Sequence, residues 1–534
     1  MSDGSACLAR TTKMGNMDVS PPASLSDQDT RSTLHEQSPH SAQISPSAST
    51  NKVNDDVEKQ EPQPEESSSQ VDPDLITWSG PDDLSNPQNW SFKYKLWVTV
   101  AWVSSCFVTT VASSLFSSGA EVIGVEYHVG TTVVTLGVSL FLIGYTVGPP
   151  LYGPLSEHYG RKIPLLLGIA LFTVFSIPVA VAKNIATILV GRFFQGAFGA
   201  VPLALIGGGL VDIWNPHQRA IAVTGAIGTL FWSPSLAPVM GNFMTETIEW
   251  RWNQWLSCIM GGVCTFAILF FFPETYTPLL LRQKAAKARK EGNPKARSQY
   301  DGQVSSFKDV MRMYLVRGFV LLGTQPILQA ITLYQGFVYG LTYLFFVSYP
   351  IAFEEVRHWE LGVSSLPFLG IVIGVLLGCA IVVFSIQRSA KHRRFDADRK
   401  PIIVPEDRLP IAIFGACLIP IGLFIFAWTS NPNIHWSGMV IGSIPVGAGL
   451  YIIFLQCFNY IIDCYMTMAN SALGANTFVR SLFGAGFPLF GPVMYHRLGV
   501  AWATSVLGFI SIAMIPIPVL FWKYGAQIRA WSEK

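Results

Sequence analysis

The chain has 534 residues, half of them hydrophobic, with 13% charged, a net charge of +2 and a mean hydropathy of +0.38. An ordinary soluble protein carries about 25% charged residues; here the charges are bunched and leave stretches of about twenty residues nearly bare, the length that crosses a bilayer as a helix. That composition is not that of a soluble protein and points to a polytopic membrane protein; the net charge says nothing about nucleic acid, and basic residues matter by position and not by sum.

Residues 1 to about 70 are rich in Ser, Pro, Gln, Asp and Glu, as in "SPHSAQISPSAST". They hold too little apolar surface to offset the entropy of ordering, which predicts a disordered tail. No apolar run marks a cleavable signal peptide, so the first span serves as the targeting signal. The following "GPDDLSNPQNWSFKYKLW" is expected at the membrane surface, and residues 1–92 together form the tail and surface segment. Twelve spans follow, near 95–117, 133–153, 162–182, 186–212, 217–241, 252–273, 319–348, 362–386, 409–429, 435–462, 467–492 and 500–523. The division is a six-helix bundle over 93–274, a central loop over 275–318, a second six-helix bundle over 319–524 and a tail over 525–534.

Lys and Arg crowd the 274–318 and 387–408 connections, whereas 118–132 and 430–434 carry none. Basic loops stay in the cytoplasm, so both termini and the central loop are expected there, as is the sequon at Asn89-Trp90-Ser91, which then stays unglycosylated. The plasma membrane is the expected location, with the vacuolar membrane as the alternative. Seven of the eight cysteines, all but Cys7, lie in or beside apolar runs without a C-x-x-C pair. They read as small buried hydrophobes, not as disulfides or metal ligands.

Between spans 2 and 3 lies "YGPLSEHYGRK", a charge cluster between two apolar runs. Gly153 and Gly160 permit close packing and a tight turn, and Glu157, Arg161 and Lys162 stand where charges reach neighbouring helix ends. Plain anchoring in the cytoplasm explains Arg161 and Lys162 but neither Glu157 nor the glycine spacing. In span 4, Arg192, Gln195, Gly196 and Gly199 share one helical face. An arginine inside a span lines a cavity or pairs, unless it snorkels to the interface. Asp212, twenty residues on and so about 30 Å away, is out of its reach. In span 5, Pro234 and Pro238 bend the helix, while Ser233, Ala237 and Gly241 allow close approach.

In span 11, Asn476 and Arg480 are one turn apart and face a cavity. Acids are missing at that depth: Glu121, Glu354 and Glu355 fall near the outer mouth and Asp463 near the inner one, which leaves the proton carrier open. The expected cavity surface is otherwise aromatic and neutral, with Gln195, Tyr334, Gln335, Tyr339, Gln456 and Asn459, a lining suited to amphipathic organic molecules. No H-E-x-x-H or P-loop pattern is present, so no enzyme activity, metal or cofactor is expected. The expected partners are a small-molecule substrate, protons and the lipid bilayer, with the protein a monomer.

"GPLSEHYGRK" resembles the G-x-L-x-(D/E)-x-x-G-R-K signature of the major facilitator superfamily. That resemblance implies a charge relay in which Glu157 meets the start of span 11 near Thr467–Asn470 and Arg161 meets Asp212, holding the cytoplasmic side shut. "LVGRFFQGAFGAVPLALIGGGLVDIW" resembles the span 4 motif of proton-coupled drug antiporters, which implies a role for Arg192 in proton exchange. "GTLFWSPSLAPVMGNF" resembles their G-P-x-x-G-P-x-x-G motif of span 5, with Ser233 and Ala237 in place of glycines. With "NPQNWS", "PETYTPLLLRQKA", "VPEDRLP" and "SALGANTFVRSLFGAGFPLFGPVMYHRLGVAWATSVLGF", the chain from about Asn86 to Trp522 resembles the fungal twelve-helix drug:proton antiporters, a branch of multidrug, polyamine and secondary-metabolite exporters. The resemblance implies an all-α integral membrane fold of two six-helix bundles and proton-coupled export of a drug, toxin or secondary metabolite by alternating access. A polyamine exporter and an uptake symporter of the same fold are the alternatives; sugar-type carriers are expected to show P-E-S-P-R after span 6, where this chain has "PETYTP".

Overall fold

The computed structural model describes residues 74–80, 82–301, 307–391 and 404–532. The tail over 1–73, part of the central loop and most of the basic 387–408 connection lie outside the described residues. Wherever the chain runs apolar for about twenty residues it is helical, because a backbone in hydrocarbon must satisfy its own hydrogen bonds. Among the described residues eleven helical segments are long and apolar enough to cross a membrane, and the protein is a multi-pass membrane protein of all-α class.

Helix α1 (Phe92–Leu115) continues through a 3-10 turn into α2 (Ala120–Glu126). Then come α3 (Thr131–Tyr159), α4 (Lys162–Ala180), α5 (Ile185–Gly199) with α6 (Val201–Ile213), α7 (Pro216–Thr247) and α8 (Arg251–Phe271). The connecting helix α9 (Thr277–Lys290) carries basic residues in its last turn. The second half comprises α10 (Phe307–Thr324), α11 (Pro326–Pro350), the short α12 (Leu361–Ser364), α13 (Phe368–Lys391), α14 (Leu409–Trp428), α15 (Ser437–Tyr465), α16 (Ala469–Met514) and α17 (Pro516–Ser532).

Two boundaries differ from the sequence reading. The span expected to end at Gly153 runs on as α3 to Tyr159, so Gly153 is helical and only Gly160 and Arg161 make the turn. The span expected over 319–348 is broken: α10 ends at Thr324, Gln325 is extended, and Pro326 opens α11. The proline ring disfavours helical backbone at the residue before it. The two spans expected over 467–492 and 500–523 lie within the 62-residue apolar segment Ala469–Ala530, in which two helices meet at a kink. Straight, it would reach about 90 Å, but Gly499 turns the chain with φ +73°.

Within the first half α3 packs on α5, α4 on α8 and α5, and α1 on α7 and α8; within the second, α14 and α13 pack on α15, and α11 on α16. The halves meet along α3–α16 and α7–α13. Between α3 and α5 the backbones nearly touch: a Cβ at Gly144 would collide with the Phe193 carbonyl, and one at Gly196 with that of Phe141.

The segment expected at the membrane surface folds onto α9. Leu75–Ile76 (β1) pairs in parallel with Arg297–Ser298 (β2). Lys284 donates to Asp83 Oδ2 at 2.9 Å and to Ser79 Oγ at 2.8 Å. Its ammonium, with help from the backbone N–H groups of Ser79 and Ser85, holds the Asp83 carboxyl well below the usual carboxylate range. Asn89 of the sequon donates its side-chain amide to the Asp83 carbonyl.

Candidate functional site

Gly160 leaves α3 with φ +84°, and a Cβ there would collide with the Glu274 carboxylate. Beyond it Arg161 donates from Nε to Asp212 Oδ2 at 3.1 Å and from Nη1 to Ser156 Oγ at 2.7 Å, while its guanidinium lies 4.7 Å from the centre of the Tyr276 ring. The chain brings Asp212 there because α5 and α6 carry it from Arg192 to the opposite end of the same span. Glu274 accepts from the backbone N–H of Arg161 (2.8 Å), Lys162 (3.1 Å), Thr275 (2.9 Å) and Tyr276 (2.9 Å). A carboxylate at the start of α4 satisfies donors that a helix N-terminus leaves unpaired and complements its dipole. Burial, then the Glu157 charge, push the Tyr276 phenol above its ordinary value. Gly153 contributes a carbonyl that accepts from Ser156 Oγ at 2.8 Å. The start of α16 approaches α3 at Pro149, Pro150 and Gly474.

Sequence reasoning missed Glu274. "PETYTP" served there as part of the family resemblance and as a departure from the sugar-carrier motif, although an acid placed just after the last span of a half was a usable signal. It also missed a second cluster at α14. Arg408 donates from Nε to Asp463 Oδ2 at 2.5 Å, and Arg529 on α17 pairs with Glu406; three of these four lie in or next to the quoted "VPEDRLP" or at a span end.

Arg192 is fully buried and does not snorkel. Its Nε donates to the Gly137 carbonyl (3.1 Å), Nη1 to the Ala112 carbonyl (2.9 Å) and Gln195 Oε1 (2.8 Å), and Nη2 to the Ser113 carbonyl (2.9 Å). The guanidinium also faces the Phe116 and Phe141 rings at 4.9 and 4.3 Å. Gln195, expected on the cavity wall, turns instead toward α4 and donates to Ser176 Oγ at 2.7 Å. Its role is to orient Arg192, since both of its polar groups are used within the first half. Pro234 and Pro238 sit inside α7; the Pro234 carbonyl accepts from Ser114 Oγ at 2.8 Å, and a Cβ at Gly241 would collide with Ser118. Small residues thus bring α7 onto α1.

Between the halves, Tyr343 on α11 shares a hydrogen bond with Ser113 Oγ at 2.9 Å, and its hydroxyl lies 3.4 Å from that of Tyr339. The Tyr339 ring faces Arg480, 5.3 Å from its guanidinium. Arg192, Ser113, Tyr343, Tyr339 and Arg480 therefore form one connected line through the core. Asn476 donates to Thr332 Oγ1 at 3.1 Å and Gln335 to the Phe454 carbonyl at 2.9 Å. Tyr334 is buried beside Cys417 and Cys457, toward α14 and α15 and off this line. Gln456 is buried and Asn459 half-buried on α15. At the end opposite Gly160, Gly362 N–H donates to Glu246 Oε2 at 2.8 Å and Asn242 to the Leu361 carbonyl at 3.0 Å, so the halves touch there as well.

Residues 101–488 match the profile of the Major Facilitator Superfamily. The chain belongs to that superfamily. A facilitator of this kind is a secondary transporter, and its solutes are small organic molecules. This facilitator is 60% identical over 479 residues to an MFS-type transporter, oryN, of Aspergillus oryzae, covering 90% of this chain and 93% of the relative. It is 44% identical to the citrinin biosynthesis cluster MFS transporter mrr1 of Monascus ruber, over 92% of this chain and 98% of the relative. Its fold is similar to that of the proton:xylose symporter XylE bound to 6-bromo-6-deoxy-D-glucose, with a TM-score of 0.59 at 15% identity, covering 82% of this chain and 96% of that one.

Proposed function

We propose that the protein is a proton-coupled exporter of an amphipathic small organic metabolite, with twelve spans in two six-helix bundles over 93–274 and 319–524. Both termini and the loop over 275–318 are cytoplasmic, and the protein acts as a monomer in the plasma membrane without enzymatic chemistry. The observation that carries the reading is Arg192. A guanidinium held by three backbone carbonyls and Gln195 stays charged without an acid beside it, and its Ser113 and Tyr343 neighbours lead to the other half. Motion between the halves therefore acts on its surroundings. Relatives that serve biosynthesis clusters support a metabolite cargo, and the Pro234–Pro238–Gly241 pattern supports export.

Arg161, Asp212, Glu157 and the α16 start near 467–470 form the lock at the cytoplasmic side in this reading, with Gly153, Gly160 and Lys162 shaping it. The polyamine alternative is disfavoured by a specific feature: among the described residues the buried charged side chains are Lys95, Arg192 and Arg480, with no carboxylate to receive a polycation.

The test is efflux at matched surface expression in a host lacking its own exporters. Arg192→Ala abolishes proton-driven efflux while leaving targeting intact, and Arg192→Lys restores it in part, because an ammonium keeps the charge but loses the planar fork. Full activity in the alanine variant ends this reading, as does efflux from proteoliposomes driven by ATP alone.

A further inference from the structure

The two buried arginines differ in how they are satisfied. Arg192 spends all of its donor nitrogens inside the first half, whereas Arg480 is only 3% exposed and its Nε has no hydrogen-bond partner. What faces the Arg480 guanidinium is two ring faces, Tyr339 at 5.3 Å and Phe454 at 4.8 Å. Rings attract a cation but do not accept its N–H groups as a carboxylate does. No carboxylate among the described residues is buried with it, and a buried charge without a counter-ion is costly.

Two neighbouring acceptors are also unpartnered. Asn476 Oδ1, one turn before Arg480 on α16, is buried and unbonded, as is Gln335 Oε1, one turn before Tyr339 on α11. Their amide nitrogens are already used, on Thr332 and on the Phe454 carbonyl, so each side chain is held with its oxygen free to accept. The same small region between α11, α15 and α16 thus offers one unmatched cation, two aromatic faces and two unmatched acceptors. Rings and amide oxygens would also suit a cation, but a cation-selective site would place a carboxylate beside them and not the Arg480 guanidinium.

We infer that Arg480 is the anchor of the substrate site and that the cargo is an organic carboxylate: a flat aromatic or conjugated acid, sandwiched by Tyr339 and Phe454, that carries a hydroxyl or N–H group for Asn476 and Gln335. This rests on the reading of the protein as a transporter of organic metabolites and adds the charge of the cargo. A planar guanidinium binds a carboxylate through two parallel hydrogen bonds, which a neutral amide cannot match. Arg192, already saturated, keeps the proton-coupling role proposed above.

The experiment uses the full chain in lipid nanodiscs and three probes of one shape: 3-hydroxy-2-naphthoate, its neutral carboxamide and the corresponding aminomethyl cation. Equilibrium binding to the wild type favours the carboxylate over the carboxamide by about tenfold or more, and the cation binds weakest. Arg480→Gln brings carboxylate and carboxamide within about twofold of each other, while Arg480→Lys keeps a reduced preference for the carboxylate. Equal binding of the three probes to the wild type overturns the inference, and so does a carboxylate preference that survives in Arg480→Gln. If the glutamine variant does not fold, the lysine variant decides: an unchanged preference counts against the bidentate anchor. Binding has no direction, so a carboxylate preference without efflux from cells sinks the export reading alone. Efflux of a cationic metabolite with no carboxylate preference sinks the anchor alone.

Discussion

Each half of the chain ends a long span with an aspartate that meets an arginine at the start of a neighbouring helix, yet the two pairs are built differently. Arg161 and Asp212 are each 12% exposed, and Glu274 ties the turn beside them, through the Arg161 and Lys162 N–H groups, to its own backbone at Thr275 and Tyr276. Arg408 and Asp463 are 32% and 13% exposed, and their neighbours Arg529 and Glu406 add another contact between side chains only. The first cluster shapes the backbone at the start of α4; the second joins helices whose starts do not depend on it. Charge pairs of similar appearance therefore differ in consequence according to whether main-chain donors are committed to them.

The largest expected effect is at Glu274. Hydrogen bonds to a charged acceptor contribute about 1.5–3 kcal/mol each, so Glu274→Ala, even with strong non-additivity, destabilises by about 3 kcal/mol or more, read as thermal unfolding in detergent. Glu274→Gln falls between, because one oxygen becomes a donor facing the Lys162 N–H. If Glu274→Ala lowers the midpoint no further than Asp463→Ala does, the contrast between the clusters is lost.

Charge reversal sharpens it next. Arg161→Asp lowers transport by about tenfold or more, and Arg161→Asp with Asp212→Arg recovers part of it; reversal at Arg408 costs about threefold. Failure of the double variant to recover leaves the first pair without a gating role. A smaller effect is expected from salt. At 1 M the Debye length is about 3 Å, so hydrogen exchange rises around 404–410 and stays unchanged around 160–165; equal responses would place both pairs in the same class.

The smallest effect concerns the arm on α9. Lys284→Ala raises exchange over Thr77–Ser85 without moving the unfolding midpoint. Because the folded state depresses the Asp83 carboxyl, its contribution is complete above the ordinary aspartate range and is lost only as the pH falls through and below that range. Acidification to pH 5 leaves the arm docked, and release at that pH would show that Asp83 does not hold it.

Much of the molecule was legible in advance. Runs of about twenty apolar residues mark the spans because hydrocarbon tolerates only internally bonded backbone. Arg161 and Asp212 were identifiable as partners through a motif resemblance, and Arg192 as a residue with a task because charge at that depth is costly. Glu274, Arg408 and Arg529 were not, since a salt-bridge partner distant in sequence leaves no periodic trace. Gln195 misled for a related reason: helical spacing gives the face of α5 that it shares with Arg192 but not which neighbour that face meets.

What the sequence by itself determined is the membrane class, the order of the spans and the short inventory of charges within them, because transfer into a bilayer is paid residue by residue along the chain. Only the tertiary structure decided which of those charges are matched. Arg192 and Arg480 look alike in the sequence, each one helical turn from an amide side chain. Carbonyls of α1 and α3 reach the first because glycines let α3 and α5 nearly touch, while the second meets only ring faces from α11 and α15. Satisfaction of a buried donor depends on which backbones come within about 3 Å of it, and that is a property of packing, which no local stretch encodes.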